Sequence, residues 1–246
     1  MTSPRPHGSF GVDAAWVPWL WTAIGLLYVV LAVLSGTVWA APPWSTTLVA
    51  IIAVVFLAGG AVYWYATVRG KFEVWSEVLA TLPAPARALD LGCGRGAVSI
   101  MTARQFPGVR VDGIDLWRKI DQSGNGPAAA EANATANGVA DRIVFHTGDM
   151  TALPFPDDAF DLVTASLAIH NIHSPAGRAT AVTEAWRVLR PGGRLVIVDI
   201  SKVREYAATL EQSGAAELSV RGAGPRMWWS GPWMATRVLT AVKPGA

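Results

Sequence analysis

The stretch Ala88-Leu89-Asp90-Leu91-Gly92-Cys93-Gly94-Arg95-Gly96 constrains the fold more than any other, because an apolar strand runs there into a glycine turn that opens a helix. Glycines let a backbone approach a ligand closely, and in a parallel α/β sheet ligands bind outside the carboxyl ends of the strands. A nucleotide-like cofactor is therefore expected at this turn. Its charge narrows the choice. A dinucleotide loop offers backbone N–H groups and a helix N-terminus to a pyrophosphate, which a carboxylate at the mouth of the loop would repel. Asp90 stands two residues before Gly92, and the run Gly92-x-Gly94-x-Gly96 lacks the six-residue dinucleotide spacing. A cationic cofactor without phosphate suits that acid better.

Beyond Pro83-Ala84-Pro85, strand and helix patterns alternate, which predicts a doubly wound sheet with right-handed crossovers. Strands are expected at 87–91, 109–114, 142–147, 160–165, 194–200, 216–220 and 235–242, seven in all. Helices are expected at 97–105, 127–137, 176–189 and 202–212, the third stopped by Pro191-Gly192-Gly193.

Further pieces follow the glycine loop in order: Val111-Asp112-Gly113-Ile114-Asp115, Thr147-Gly148-Asp149-Met150, Phe160-Asp161-Leu162-Val163 and Leu189-Arg190-Pro191-Gly192-Gly193-Arg194-Leu195. With Asp90–Gly96 they resemble the class I (seven-strand, Rossmann-like) S-adenosylmethionine-dependent methyltransferases, over about residues 84–242. The resemblance implies an α/β fold with a seven-stranded, mostly parallel sheet whose last strand is antiparallel. It also implies a methyltransferase whose cofactor is S-adenosyl-L-methionine, which carries an ammonium and a sulfonium. Its cofactor residues would be Asp90, Gly92, Cys93, Gly94 and Gly96 of the loop, together with Gly148 and Ser166. Asp115 would accept hydrogen bonds from the ribose hydroxyls, with Leu116 and Trp117 beside the adenosine. Asp149 would take the adenine amino group, and Met150 would donate through its backbone. Each acid could instead cap a turn; three at three strand ends favour the cofactor. The loop 117–126 is longer than such connections need and is expected to fold over the adenosine.

Methyl transfer asks little of protein groups beyond in-line alignment and exclusion of water. A base is needed only when the nucleophile arrives protonated. Ser166-Leu167-Ala168-Ile169-His170-Asn171-Ile172-His173 occupies the place where such enzymes line the transferred methyl, and His170 is the candidate catalytic base. Packing is its bland role.

The hydrophobic fraction of 52% and charged fraction of 15% depart from ordinary soluble composition, and the excess is at one end. From Ala14 to Val68 there is no Lys, Arg, Asp, Glu or His. Ala41-Pro42-Pro43 divides this stretch into two apolar runs of about 20 residues, the length that spans a bilayer's hydrocarbon. Tryptophans at 16, 19 and 21, at 39 and 44, and at 64 mark the two interfaces. A transmembrane helical hairpin is expected. Arg5 before it, and Arg69 and Lys71 after it, put both ends in the cytoplasm by the positive-inside rule.

The domain organisation follows: an N-terminal tail at 1–15, the hairpin at 16–68, a linking amphipathic helix at 69–83 and the catalytic domain at 84–246. All strands lie beyond Ala84, so removal of residues 1–68 is expected to leave that domain folded. The linking helix would cover the domain or lie in the membrane interface. Trp228, Trp229 and Trp233 could wall an acceptor site, anchor in the interface or pack on the hairpin.

The net charge of +2 gives no reason to expect a nucleic-acid partner, no metal site is indicated, and a single cysteine, Cys93, excludes an internal disulfide. Two functions remain. One is a cell-membrane methyltransferase acting on a hydrophobic small-molecule or lipid acceptor, with the lipid bilayer as its partner. The other is a noncatalytic S-adenosylmethionine-binding membrane scaffold.

Overall fold

The computed structural model describes residues 5–118 and 120–245. It begins with two long antiparallel helices, α1 (Trp16–Thr37) and α2 (Pro43–Tyr65). Neither contains a charged residue, and both are long and apolar enough to cross a membrane. A core helix of a soluble protein would be mostly covered, whereas only 11% and 17% of these apolar windows are buried. They pack through small residues. A Cβ on Gly25 would lie 2.7 Å from the Leu57 side chain, and Ser35 and Thr46 hydroxyls meet at 2.9 Å across the pair. Trp16 and Trp19 are exposed at one end of the hairpin and Trp39 and Trp44 at the other.

A π-helical turn, Ala66–Gly70, carries α2 into α3 (Lys71–Ala80). Phe72, Val74, Trp75, Val78 and Leu79 of α3 are buried with Val98, Ile100 and Met101 in one core cluster, so α3 covers the sheet domain. The same cluster takes in Phe10 from the tail and Tyr63 and Ala66 from the base of the hairpin.

The sheet is built from β1 (Arg87–Leu91), β2 (Arg110–Asp115), β3 (Ile143–Thr147), β4 (Phe160–Ser166), β5 (Leu189–Asp199), β6 (Ala216–Gly222) and β7 (Arg237–Val242). Their order is β3-β2-β1-β4-β5-β7-β6. The strands from β3 to β5 pair in parallel, and β7 runs antiparallel to both its neighbours. Four helices connect them: α4 (Ala97–Gln105), α5 (Pro127–Ala136), α6 (Pro175–Val188) and α7 (Val203–Gln212). The parallel strands are apolar on both faces because helices cover both. This is the expected architecture, seven strands with an antiparallel end.

One boundary differs from expectation. Pro191-Gly192-Gly193 does not precede β5 but lies within it, since Leu189 already pairs with Phe160 and the register shifts before Leu162. Gly192 adopts φ +77°, a left-handed conformation that glycine tolerates, and donates its N–H to the Lys243 carbonyl. The three residues thus make a bulge rather than a stop.

The β6–β7 loop reaches back to the hairpin. Trp229 is buried edge-on against Tyr63 at 4.9 Å and donates its indole N–H to Thr236, while Trp233 stacks near Trp21. Arg226 forms a two-pronged ion pair with Glu77 of α3. The hairpin is therefore fixed against the carboxyl edge of the sheet.

Candidate active site

The first two parallel strands end side by side, and their carboxyl ends shape the site. Gly92, Gly94 and Gly96 all adopt left-handed φ values of 53–77°, so the chain can turn from β1 into α4. A Cβ on Gly92 would meet the Ala168 Cβ at 2.3 Å, and one on Gly94 the Gln122 Oε1 at 2.6 Å. At Gly92 the Ala168 methyl leaves no room for a side chain, and at Gly94, where the Gln122 amide could swing away, the left-handed φ favours glycine.

Above this turn lies a cavity of about 230 Å³. Asp90, Gly92, Cys93 and Gly94 line it from β1, Asp115 and Leu116 from β2, Gly148, Asp149 and Met150 from the turn after β3, and Ser166 from the end of β4. Three other site residues named from the sequence do not line it. Gly96 is the N-cap of α4, where a side chain would strike Phe145. Trp117 donates its backbone N–H to Asp115 at 2.5 Å and its indole N–H to Thr147 at 2.8 Å. His170 is not itself a lining residue, although its neighbours Asn171, Ile172 and His173 are.

Asp115 receives the Gly94 N–H on one oxygen, and Trp117 N–H and the Asn125 amide on the other. These bonds fix the carboxylate at the mouth of the glycine turn, with acceptor capacity left on the Gly94-bound oxygen. Asp149 makes an Asx turn with one oxygen only, taking both the backbone N–H and hydroxyl of Thr151. Asp90 is buried and bonded by the Ser99 N–H and hydroxyl and by Thr164. Burial pushes its pKa up to about 6 against the pull of those bonds.

His170 and Asp199 form a close pair, Nδ1 to Oδ1 at 2.5 Å, and Asp199 also accepts the His170 N–H and the Tyr206 hydroxyl. Burial opposes a charge on His170, but the Asp199 carboxylate outweighs it and raises the pKa above 6.5. Both Asp90 and His170 hold a proton more tightly folded than unfolded, so each makes the fold less stable as pH rises. The Asp90 contribution grows between about pH 4 and 6 and is on the order of 3 kcal/mol. That of His170 begins near 6.5. Thermal unfolding without ligand should therefore fall in midpoint from pH 5 to pH 8, and Asp90→Asn should flatten the lower part of the curve. An unchanged curve in that variant would contradict the assignment.

Among the wall residues not named individually as site residues from the sequence are Asp13 of the tail, Lys71 and Trp75 of α3, and Gln122 of the loop 117–126 that was expected over the adenosine. Trp75 donates its indole N–H to Ser166 at 2.8 Å, closing the wall at β4. Gln122 accepts the Arg95 N–H and donates to Asp13, so this loop lies over the glycine turn with the tail on top of it. Nothing local in the sequence links residue 13 to residue 122.

The charge of the wall tests the cofactor. Among the described residues, Asp13, Asp90, Asp115, Asp121 and Asp149 share the wall with the cations Lys71 and Arg118. Five carboxylates against two cations suit a cationic ligand and repel a pyrophosphate. With the left-handed glycine turn, the residues fit S-adenosylmethionine.

Residues 89–197 match the family model for a methyltransferase domain. Over 137 residues the chain is 34% identical to the ubiquinone/menaquinone biosynthesis C-methyltransferase UbiE of Paracoccus denitrificans, covering 54% of this chain and 51% of that protein. It is 40% identical over 121 residues to the demethylmenaquinone methyltransferase of Thermus thermophilus, covering 49% of this chain and 50% of that one. The chain thus spans about half the length of the curated relatives it matches. Among solved structures it is similar to the [4+2]-cyclase SpnF, with TM-score 0.60 and 22% identity over 72% of this chain and 84% of that one. It is also similar to a geranyl diphosphate methyltransferase in complex with its methyl donor, with TM-score 0.56 and 17% identity over 71% and 85%. These structural likenesses show the fold alone, and the cyclase illustrates that one fold serves more than one reaction.

Proposed function

Starting from a chain that carries a class I S-adenosylmethionine-dependent methyltransferase domain, we propose that it is a membrane-anchored enzyme that methylates a hydrophobic acceptor, with the ring of a quinone precursor as the first candidate. The observation that carries this is the joining of an acidic, glycine-floored cavity to an exposed apolar hairpin through α3 and the β6–β7 loop. The names of the relatives, quinone-pathway methyltransferases, support the acceptor class. Helix length, exposure and the tryptophans at both ends support a hairpin that spans the bilayer, with both its ends and the catalytic domain on the cytoplasmic side.

Bound S-adenosylmethionine supplies an activated methyl on a sulfonium. The protein's own part is binding and alignment. Asp115 would hold the ribose hydroxyls, Asp149 the adenine amino group through its unused oxygen, and the glycine turn the remainder of the donor. Phe72, Trp75, Met101, Leu167 and Ile172 give the cavity an apolar side for the acceptor and exclude water. For an acceptor that arrives protonated, His170 is the base we assign, its tautomer set by Asp199 in the manner of other carboxylate-oriented imidazoles.

Two measurements check these assignments. Asp115→Ala should weaken binding of the demethylated donor by roughly tenfold to a hundredfold, the worth of lost charge-assisted hydrogen bonds; unchanged affinity by calorimetry would refute the role. His170→Ala should lower kcat with little change in either binding constant. If His173→Ala has that effect and His170→Ala does not, the base is His173. The overall reading is tested by incubating the full-length protein with the donor and a membrane lipid extract. Formation of S-adenosylhomocysteine only when extract is present is expected. Donor binding without turnover on any extract would favour the scaffold.

A further inference from the structure

We propose that Asp13 and Lys71, which both lie outside the segment matched to the methyltransferase domain, recognise the amino-acid end of the methyl donor, so that the tail before the hairpin is part of the donor site. The inference rests on the function proposed above.

Sheet order gives the direction of the ligand. The residues assigned to adenine and ribose stand at the ends of β3 and β2, and the next strands in the sheet are β1 and β4. An elongated donor whose adenosine occupies the first two therefore crosses the glycine turn of β1 toward β4. The wall on that side is α3: Trp75 is bonded to Ser166 at the end of β4, and Lys71 lies one helical turn earlier on the same face. Asp13 meets Lys71 there at 2.7 Å. Both side chains are largely buried, at 6% and 19% exposed, yet both line the cavity.

An α-amino acid end is a zwitterion, and it needs a carboxylate and a cation side by side. Among the described residues the wall carries two cations, Lys71 and Arg118, and Lys71 is ion-paired with a wall carboxylate. Asp13 can turn the oxygen that receives only a 3.3 Å contact from Gln122 toward an ammonium, while Thr67 keeps the other at 2.6 Å. Lys71 has three donors and can keep Asp13 while it takes the ligand carboxylate.

The tail is built to hold this position. Phe10 is buried against Phe72 at 5.5 Å, Ser9 and Asn133 exchange two hydrogen bonds, and Val12 does the same with Ser123. Tyr63 of α2 donates to the Asp13 carbonyl at 2.9 Å. The hairpin thereby positions the tail, and through it the donor site.

The test uses full-length protein in detergent and two ligands, S-adenosylhomocysteine and 5′-methylthioadenosine, which lacks the amino-acid end. Asp13→Asn should weaken the first by about tenfold or more, as for a lost charge-assisted bond, and leave the second within about twofold. Normal binding of the second ligand also reports that the variant is folded. Lys71→Gln should repeat the pattern and Lys71→Arg should restore much of the affinity; this pair carries the test if Asp13→Asn does not fold. Equal losses for both ligands would make the pair a structural clamp and overturn the proposal, as would no loss for either. Wild-type protein that binds neither ligand would instead remove the donor-binding reading itself.

Discussion

A chain that begins at residue 69 is expected to lose its stable fold. It keeps every strand, but it gives up Phe10, Tyr63 and Ala66 from the core cluster that also contains Phe72, Val98 and Ile100. Removing one large buried aromatic typically costs on the order of 3–5 kcal/mol, and two are removed here against a total stability of about 5–15. Lys71, now next to the new terminus, also loses its ion pair with Asp13. Near-ultraviolet circular dichroism and thermal unfolding of the fragment should show weak or absent cooperative structure. A fragment that unfolds cooperatively at the full-length midpoint would contradict this. This prediction departs from the expectation drawn from strand positions alone, because the tail and the hairpin base belong to the core cluster.

Gly70→Ala should be the most damaging single substitution at the join between hairpin and domain. A Cβ there would sit 1.7 Å from the Arg226 carbonyl oxygen, which is backbone and cannot swing aside. To make room, the β6–β7 loop must leave α3, which pulls on the Arg226–Glu77 pair and on Trp229 packed against Tyr63. Overpacking of this kind costs on the order of 3 kcal/mol. The melting temperature of the full-length protein in detergent should fall by several degrees, with the hairpin still in the membrane fraction. An unchanged melting temperature would show that the loop does not clamp the hairpin.

The strength of local signals decided what the sequence could disclose. The bounds of β1 and α4 were legible to the residue, since an apolar run meets a glycine turn there and both lie within twenty residues. The hairpin was legible from the missing charges. The three acids were legible because each stands at or just beyond the carboxyl end of a strand, and Asp90, Asp115 and Asp149 do line one cavity. Pro191-Gly192-Gly193 misled, because a helix stop and a bulge use the same residues, and the pairing of Leu189 with Phe160 settles which one forms. Asp13, Lys71 and Gln122 were out of reach for another reason. Their bonds join positions 58 and 109 residues apart, and each residue alone reads as an ordinary polar side chain beside an apolar run. Likewise, the periodicity of α3 revealed an apolar face, and only the packing shows that the sheet domain covers it.

The central claim, methyl transfer to an acceptor that resides in the bilayer, is tested most directly with full-length protein reconstituted in liposomes that carry a demethylated quinone precursor, using donor labelled in the methyl group. The account predicts label in the extracted lipid phase, in proportion to S-adenosylhomocysteine formed, and little of either with Asp115→Ala. Tight donor binding with no label in the lipid phase, across quinone precursors and whole lipid extract alike, would contradict it.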